Sequence, residues 1–372
     1  ASAQPALRLA ARALGRRLAG APVEVRSHPA PHAYPAGPTG ARPGASRTEI
    51  VAAPGLRPET RAAFEAQAER FEATLGARRP PPEVRAFHDV FVNGLGQVWQ
   101  EGGQLLRGGE QAFPEASRAA MGSAPRIEEA VFAVERFNNI FHWTADVLPS
   151  IGWRFAGGVP DLPVLLRADA APFKTESLAI LAGRTAPAVL VGDAVRVRRL
   201  YFGAFGAGTI SPEGPHRALI EAVAAAAAAA PDPADGLAER LYISRRDAAK
   251  RAMGNEAALE TALAARGFGI RRFSGRGFVE QVRLIRGARA IVAPHGAALG
   301  LLLFARPGTA VFEIVPAAAN AVGLRCCMAR LSRLVALRHR MWLEPVNPIT
   351  GAWAASLDPL LGELDAWLED LR

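Results

Sequence analysis

Lysine has almost vanished from this chain. Only Lys174 and Lys250 occur, against a combined total of 44 lysines and arginines in 372 residues, so the formal charge of +9 is carried by arginine. Heavy use of arginine together with alanine, glycine and proline is the pattern of GC-rich coding. The basic residues are scattered instead of forming one stripe, which argues against a nucleic-acid partner. An acidic ligand or an anionic membrane surface would account for the excess equally well. Cysteine is nearly as scarce. Cys326 and Cys327 are adjacent and fit neither a disulfide framework nor a zinc spacing, so the expectation is packing in a reduced, cytoplasmic setting. Long hydrophobic runs are missing too: the seven alanines at 224–230 end at Pro231, too short to span a bilayer. The stretch Leu7 to Leu18 carries Arg8, Arg12, Arg16 and Arg17 and lacks the apolar core of a secretory signal. As a basic amphipathic segment it is compatible with peripheral contact at the inner face of a membrane, and equally with an ordinary surface helix.

Half of the residues are hydrophobic, and the length suffices for two domains that each bury a core. Residues 1–80 are rich in Pro, Arg and Ala and give no clear elements. From Phe87 to Leu106, short apolar runs broken by Asn93-Gly94 and Gly102-Gly103 read as β-hairpins. Strands are expected at 130–134, 162–166 and 188–191, and helices at 141–155, 173–181 and 216–230. Pro231-Asp-Pro-Ala-Asp-Gly236 is the best boundary. Beyond it, strands at 241–244, 270–273, 290–293 and 310–315 alternate with helices at 256–265, 278–285 and 297–304, the rhythm of βαβ units and a parallel sheet. The last segment, 357–371, reads as an amphipathic helix. The expected division is an acceptor-side domain at 81–231, a nucleotide-sugar domain at 232–345, and a terminal segment at 346–372 packing back on the first domain.

Ala288 to Glu313 is the most informative stretch. A buried strand stops at Pro294, then His295, Gly296, Ala297 and Ala298 lead into an apolar helix. Small residues let a ligand approach the backbone, the free N–H groups of a new helix favour an anion, and ligands collect at strand ends in open α/β sheets. The implication is a nucleotide or phosphate site.

Two further blocks accompany it: Phe137-Asn-Asn-Ile-Phe-His-Trp-Thr-Ala-Asp146-Val-Leu-Pro149, and Leu241-Tyr-Ile-Ser-Arg-Arg-Asp-Ala248 with Arg251 and Asn255-Glu256. In this order and spacing the three resemble the family 61 glycosyltransferases, including bacterial relatives described as capsular polysaccharide biosynthesis proteins, over roughly residues 85–340. The resemblance implies an α/β fold of two Rossmann-like domains facing across a cleft, the GT-B arrangement. It also implies inverting transfer from a nucleotide sugar, commonly UDP-linked, to a glycan or lipid-linked acceptor, with no metal and no cofactor beyond the donor. The chain contains no Asp-x-Asp pair, so the leaving diphosphate must be neutralised by side chains and helix N-termini.

Arg245 and Arg246, just past a parallel strand, can fork phosphate oxygens, and Arg251 could add a third charge; all three could also be ordinary surface charge. His295 is placed to bond a phosphate or sugar hydroxyl, beside the backbone of Gly296 and Ala297. Glu313 lies in an otherwise apolar strand and must find partners, either ribose hydroxyls or an internal arginine such as Arg289. On the acceptor side, His142 and Asp146 share a helix face, and either could be the base that takes the acceptor's proton while the other orients it. Asp146 is favoured. Trp143 could stack on a sugar or fill the core, and Asn139 could touch ligand or cap the helix. The rival readings are a non-catalytic nucleotide-sugar or glycan-binding protein and a charge-driven nucleic-acid binder, the latter disfavoured by the scattered arginines.

Overall fold

The computed structural model describes residues 27–28, 47–74, 83–108, 112–135, 138–155, 161–183, 187–204, 215–248 and 250–371. The chain divides into two compact units that interleave in sequence. One comprises Ala1–Tyr34, Pro81–Asn138 and Val147–Thr209, and the other Pro35–Pro80, Asn139–Asp146 and Ile210–Arg372. The single cut expected near residue 231 is therefore replaced by a chain that crosses repeatedly.

The second unit is built on β1 (Glu49–Ala52), β2 (Arg240–Ser244), β3 (Gly269–Arg272), β4 (Ala290–Pro294), β5 (Ala310–Ala317) and β6 (Arg338–Pro345), in the order β3-β2-β4-β5-β6-β1 with every pairing parallel. β4 and β5 are buried at every position, as expected of strands covered on both faces. Between the strands lie α1 (Pro58–Thr74), α2 (Pro215–Ala229), α3 (Glu256–Ala264), α4 (Phe278–Gly287), the 3-10 helix Ala297–Phe304, α5 (Cys327–Leu334) and, after β6, α6 (Leu357–Glu369). Counted from β2, the order is 2-1-3-4-5. The chain leaves β2 toward β3 and then returns to place β4 on β2's other side. That reversal is a topological switch point, and in open α/β sheets ligands bind at such points, outside the strands' C-terminal ends.

Two additions differ from expectation. Residues 49–74 complete this unit: β1 pairs with β6 at the sheet edge, and Phe64 of α1 is buried with Val315, Met341 and Leu343. The terminal helix α6 also stays here, not on the other domain, because Leu360, Leu361, Leu364, Trp367 and Leu368 pack with Tyr242, Val292, Phe312 and Trp342. Asp365 accepts from Arg266 at 2.9 Å.

The first unit holds a mixed sheet. Its ten-residue strand Val195–Ala204 runs antiparallel to Glu83–Val92 and parallel to Arg126–Phe132, which continues into parallel Val164–Arg167 and Ala188–Val191. The antiparallel part includes the expected hairpins, Glu83–Val92 with Val98–Gln100 and then Leu105–Arg107. This half departs from the expected second Rossmann-like sheet. Among the described residues no helix is long and apolar enough to cross a membrane. The Leu7 to Leu18 segment lies outside the described residues.

Candidate active site

Arg245 follows β2 and His295 follows β4, the two strands that flank the switch point. The structure brings them together. The Arg245 guanidinium donates through Nη1 to the His295 carbonyl and through Nη2 to the Lys250 carbonyl at 3.2 Å. Its backbone N–H donates to Glu256 at 2.6 Å, and the same carboxylate oxygen accepts from the Tyr242 hydroxyl at 2.9 Å. Glu256, the first residue of α3, thereby ties the strand end to the helix. Burial raises its carboxyl above the ordinary range against these hydrogen bonds. No carboxylate pairs with the Arg245 side chain among the described residues. Burial, and then the charge of Arg251, lower its value below that of an ordinary arginine. It remains charged, as arginine does. This is a cation oriented by neutral carbonyls and short of counter-charge.

Gly296 is what lets that side chain lie against the loop. A methyl group there would sit 2.7 Å from Arg245 Nε and 2.9 Å from Cζ. The expected row of free N–H groups is shorter by one, because His295 N–H donates to the Ile314 carbonyl at 2.8 Å. Gly296, Ala297 and Ala298 open the 3-10 helix, whose first internal bond is Leu299 N–H to Gly296 O at 3.0 Å. Their own N–H groups precede the ladder and have no acceptor within it.

Glu313 corrects a ribose role. It is fully buried, and its two oxygens are occupied by imidazoles, His295 Nδ1 at 2.6 Å and His339 Nε2 at 3.1 Å. The partner foreseen as an arginine is a pair of histidines. Burial alone would raise the carboxyl, but the hydrogen bonds from His295 and then His339 outweigh it and hold it below its usual value. An ionised carboxylate only accepts, so His295 donates through Nδ1 and His339 through Nε2. The other ring nitrogen of His339, Nδ1, lies 2.7 Å from the Ser332 hydroxyl. Glu313 thus holds the His295 ring in place and does not face a ligand.

The other arginines diverge. Arg246 turns to Glu260 of α3 at 3.3 Å. Arg251 is exposed, with a left-handed backbone at φ 57°, and its carbonyl accepts from Trp353 Nε1 at 3.2 Å. Strain of that kind in a residue with a side chain concentrates at functional sites.

His142 and Asp146 belong to the second unit, in the segment Asn139–Asp146. Asn139 caps the helix by accepting from Phe141 N–H at 2.9 Å, the capping alternative. Residues 140–155 are helical as expected, but Trp143–Val147 forms a π-helical turn, a feature frequent at functional sites. On this turn His142 Nδ1 lies 2.8 Å from Asp146 Oδ2, with both side chains over two-fifths exposed. Trp143 is fully buried, which rules out the sugar-stacking role and assigns it to packing. The segment is seated directly on the 3-10 helix. A methyl group on Gly300 would lie 2.6 Å from Phe141 Cα, and Thr144 Oγ1 is 3.4 Å from the Gly300 carbonyl. From Gly296 to Gly300 is about 8 Å along a 3-10 helix, so the histidine–aspartate turn and the arginine loop share one short support.

Sequence reasoning missed His339, Ser332 and Arg325. His339 sits on β6, a strand not foreseen, where alternation of Arg338, His339, Arg340 and Met341 carries a readable inside–outside pattern. Arg325 had no signal beyond its charge. Cys326 and Cys327 are free, and burial first, then the charge of Glu313, pushes both thiols up to about 12, consistent with packing.

Residues 140–312 match the family model described as Glycosyltransferase 61. The match spans the His142–Asp146 turn, Arg245, Arg251 and the His295–Ala298 loop and stops one residue before Glu313. The chain is accordingly a glycosyltransferase enzyme. No curated protein matches it.

Proposed function

We propose that this enzyme is an inverting, metal-independent glycosyltransferase. It moves a sugar from a nucleoside diphosphate donor, UDP-linked by preference, to a glycan or glycoconjugate acceptor in surface polysaccharide synthesis. The observation that carries this reading is Arg245, a partly buried guanidinium at the switch point of a parallel sheet, held by two carbonyls and laid over Gly296. Its charge, the neighbouring charge of Arg251 and the N–H groups of Gly296 to Ala298 supply the counter-charge that a departing diphosphate needs. Positioned cations of this kind act where charge develops in the transition state.

The acceptor hydroxyl attacks the anomeric carbon from the face opposite the diphosphate. The new C–O bond forms as the bond to the phosphate oxygen breaks, and the diphosphate leaves with the electron pair. The acceptor's proton goes to the His142–Asp146 pair. Either member can receive it. If His142 does, Asp146 holds its Nδ1–H and leaves the lone pair on the other nitrogen, the usual base-and-orienter arrangement.

Calorimetric titration with UDP, GDP, CDP and CMP, each with and without EDTA, tests this. The expected result is selective binding of one nucleoside diphosphate, unchanged by EDTA and lost in Arg245→Ala. Binding that requires a divalent ion would overturn the account of how the diphosphate is neutralised.

A further inference from the structure

Arg325 ends the short helix Val322–Arg325, on the chain leaving the C-terminal edge of β5. It is 7% exposed. Its buried Nε and Nη1 have no hydrogen-bond partner, and no carboxylate pairs with it among the described residues. Buried guanidinium groups ordinarily fork onto carboxylates or carbonyls, because an unpaired buried charge is costly. The charges bearing on Arg325 make its position worse. Burial and then Arg251 disfavour its charged form, Glu313 favours it, and Arg245 again opposes it, with the Cys327 thiol a lesser influence. Glu313 is no partner, since both its oxygens serve histidines.

Three arginines from two chain segments, Arg245 and Arg251 after β2 and Arg325 after β5, therefore converge at the C-terminal edge of the sheet, and the most buried of them has nothing to hold. β2 and β5 are two strands apart, about 10 Å at ordinary strand spacing. Side chains reaching inward across that distance can meet two linked phosphates, whereas one phosphate satisfies a single arginine together with the Gly296–Ala298 backbone.

We propose that Arg325 is a ligand for the donor's diphosphate, completing with Arg245 and Arg251 a cradle that selects diphosphate over monophosphate donors. The inference rests on the nucleoside diphosphate reading of this site. It explains why a buried cation is left without a partner: the partner is the substrate.

The test is calorimetric titration of wild type, Arg325→Met and Arg325→Lys with pyrophosphate, orthophosphate and UDP, alongside thermal unfolding without ligand. Wild type is expected to prefer pyrophosphate. Arg325→Met is expected to lose about tenfold or more of its pyrophosphate affinity while orthophosphate binding changes less than about twofold. Without ligand it should unfold at the same temperature as wild type or higher, because an unpaired buried charge has been removed. Arg325→Lys keeps the charge without the fork, so its preference for pyrophosphate over orthophosphate should fall. It carries the test alone if the methionine variant does not fold. A lower unfolding temperature with unchanged pyrophosphate affinity would make Arg325 structural and overturn the proposal while leaving the donor reading intact. Failure of wild type to bind pyrophosphate or any nucleoside diphosphate would overturn both.

Discussion

Two histidine–carboxylate pairs occur in the same unit, made of the same parts at nearly the same separation. His142 and Asp146 meet at 2.8 Å with side chains 42% and 46% exposed, while His295 and Glu313 meet at 2.6 Å with 4% and 0%. The contact is the same, and the surroundings give it different consequences. In water the exposed pair contributes little stability, but it exchanges protons freely and can reach a substrate. In the interior, separating the partners would strand a charge. The buried pair therefore fixes a ring orientation and a loop, and a second histidine makes use of its remaining oxygen. A carboxylate four residues from a histidine and one eighteen residues away thus do unlike work, and burial is the deciding variable.

The comparison breaks first, and most visibly, at the exposed pair. His142→Ala and Asp146→Asn should each lower kcat by about 10²- to 10⁴-fold, the usual reach of a general base. Stability should stay within about 0.5 kcal/mol of wild type, as for exposed sites. Steady-state kinetics beside denaturant unfolding reads both quantities. Wild-type kcat in both variants would remove the pair from the chemistry.

At the buried pair the emphasis reverses. Glu313→Leu leaves two buried imidazole N–H groups without acceptors, and a loss of about 3–5 kcal/mol is expected in denaturant unfolding. Acid sharpens the contrast. Because the folded-state value of Glu313 is depressed, its contribution is fully present above the ordinary carboxyl value of 4.5 and fades as pH falls from there through the folded value. Wild type should therefore lose stability more steeply below that pH than Glu313→Gln does. Parallel curves for the two would mean that Glu313 is not the acceptor for both histidines.

The loop at His295 to Ala298 was legible in sequence because small residues after a buried strand mean the same thing locally as they do in the fold. The βαβ rhythm after residue 236 was legible for a related reason, since strands buried on both faces read as unbroken apolar runs. Glu313 was visible as a problem, a carboxylate in an apolar strand, but its solution came from β6 and from the residue just past the end of β4. No local pattern specifies a partner supplied by another strand. β1 is four residues long at a sheet edge behind a Pro-rich stretch, and Val195–Ala204 hides its apolar face between arginines such as Arg196, Arg198 and Arg199. Arg199 is explained by Glu129, 2.8 Å away on the neighbouring strand, and by the Tyr201 hydroxyl at 3.2 Å. The interleaving that puts His142 and Asp146 in the second unit, with the strands after residue 236, is a tertiary fact. Gly300 is its one local trace, a missing side chain where a helix crosses.

That crossing yields the smallest effect and the cleanest separation of the two pairs. In Gly300→Ala, the new methyl group would meet Phe141 backbone at 2.6 Å and Thr144 Oγ1 at 3.2 Å. Backbone cannot swing aside as a flexible side chain can, so the histidine–aspartate turn must shift on its support. Overpacking of this kind costs about 1–3 kcal/mol. The turn moves while the arginine loop does not, so kcat should fall with diphosphate affinity within about twofold of wild type. Gly362→Ala is the control. It lies in the interior of α6 with nothing within 4 Å, and replacing an unobstructed helical glycine by alanine should raise stability by about 0.4–1 kcal/mol. Opposite signs from one chemical change would show that Gly300 is kept for the close approach and not for flexibility. A stabilised Gly300→Ala would mean that the turn is not seated on the 3-10 helix, and the shared support of the two pairs would have to be abandoned.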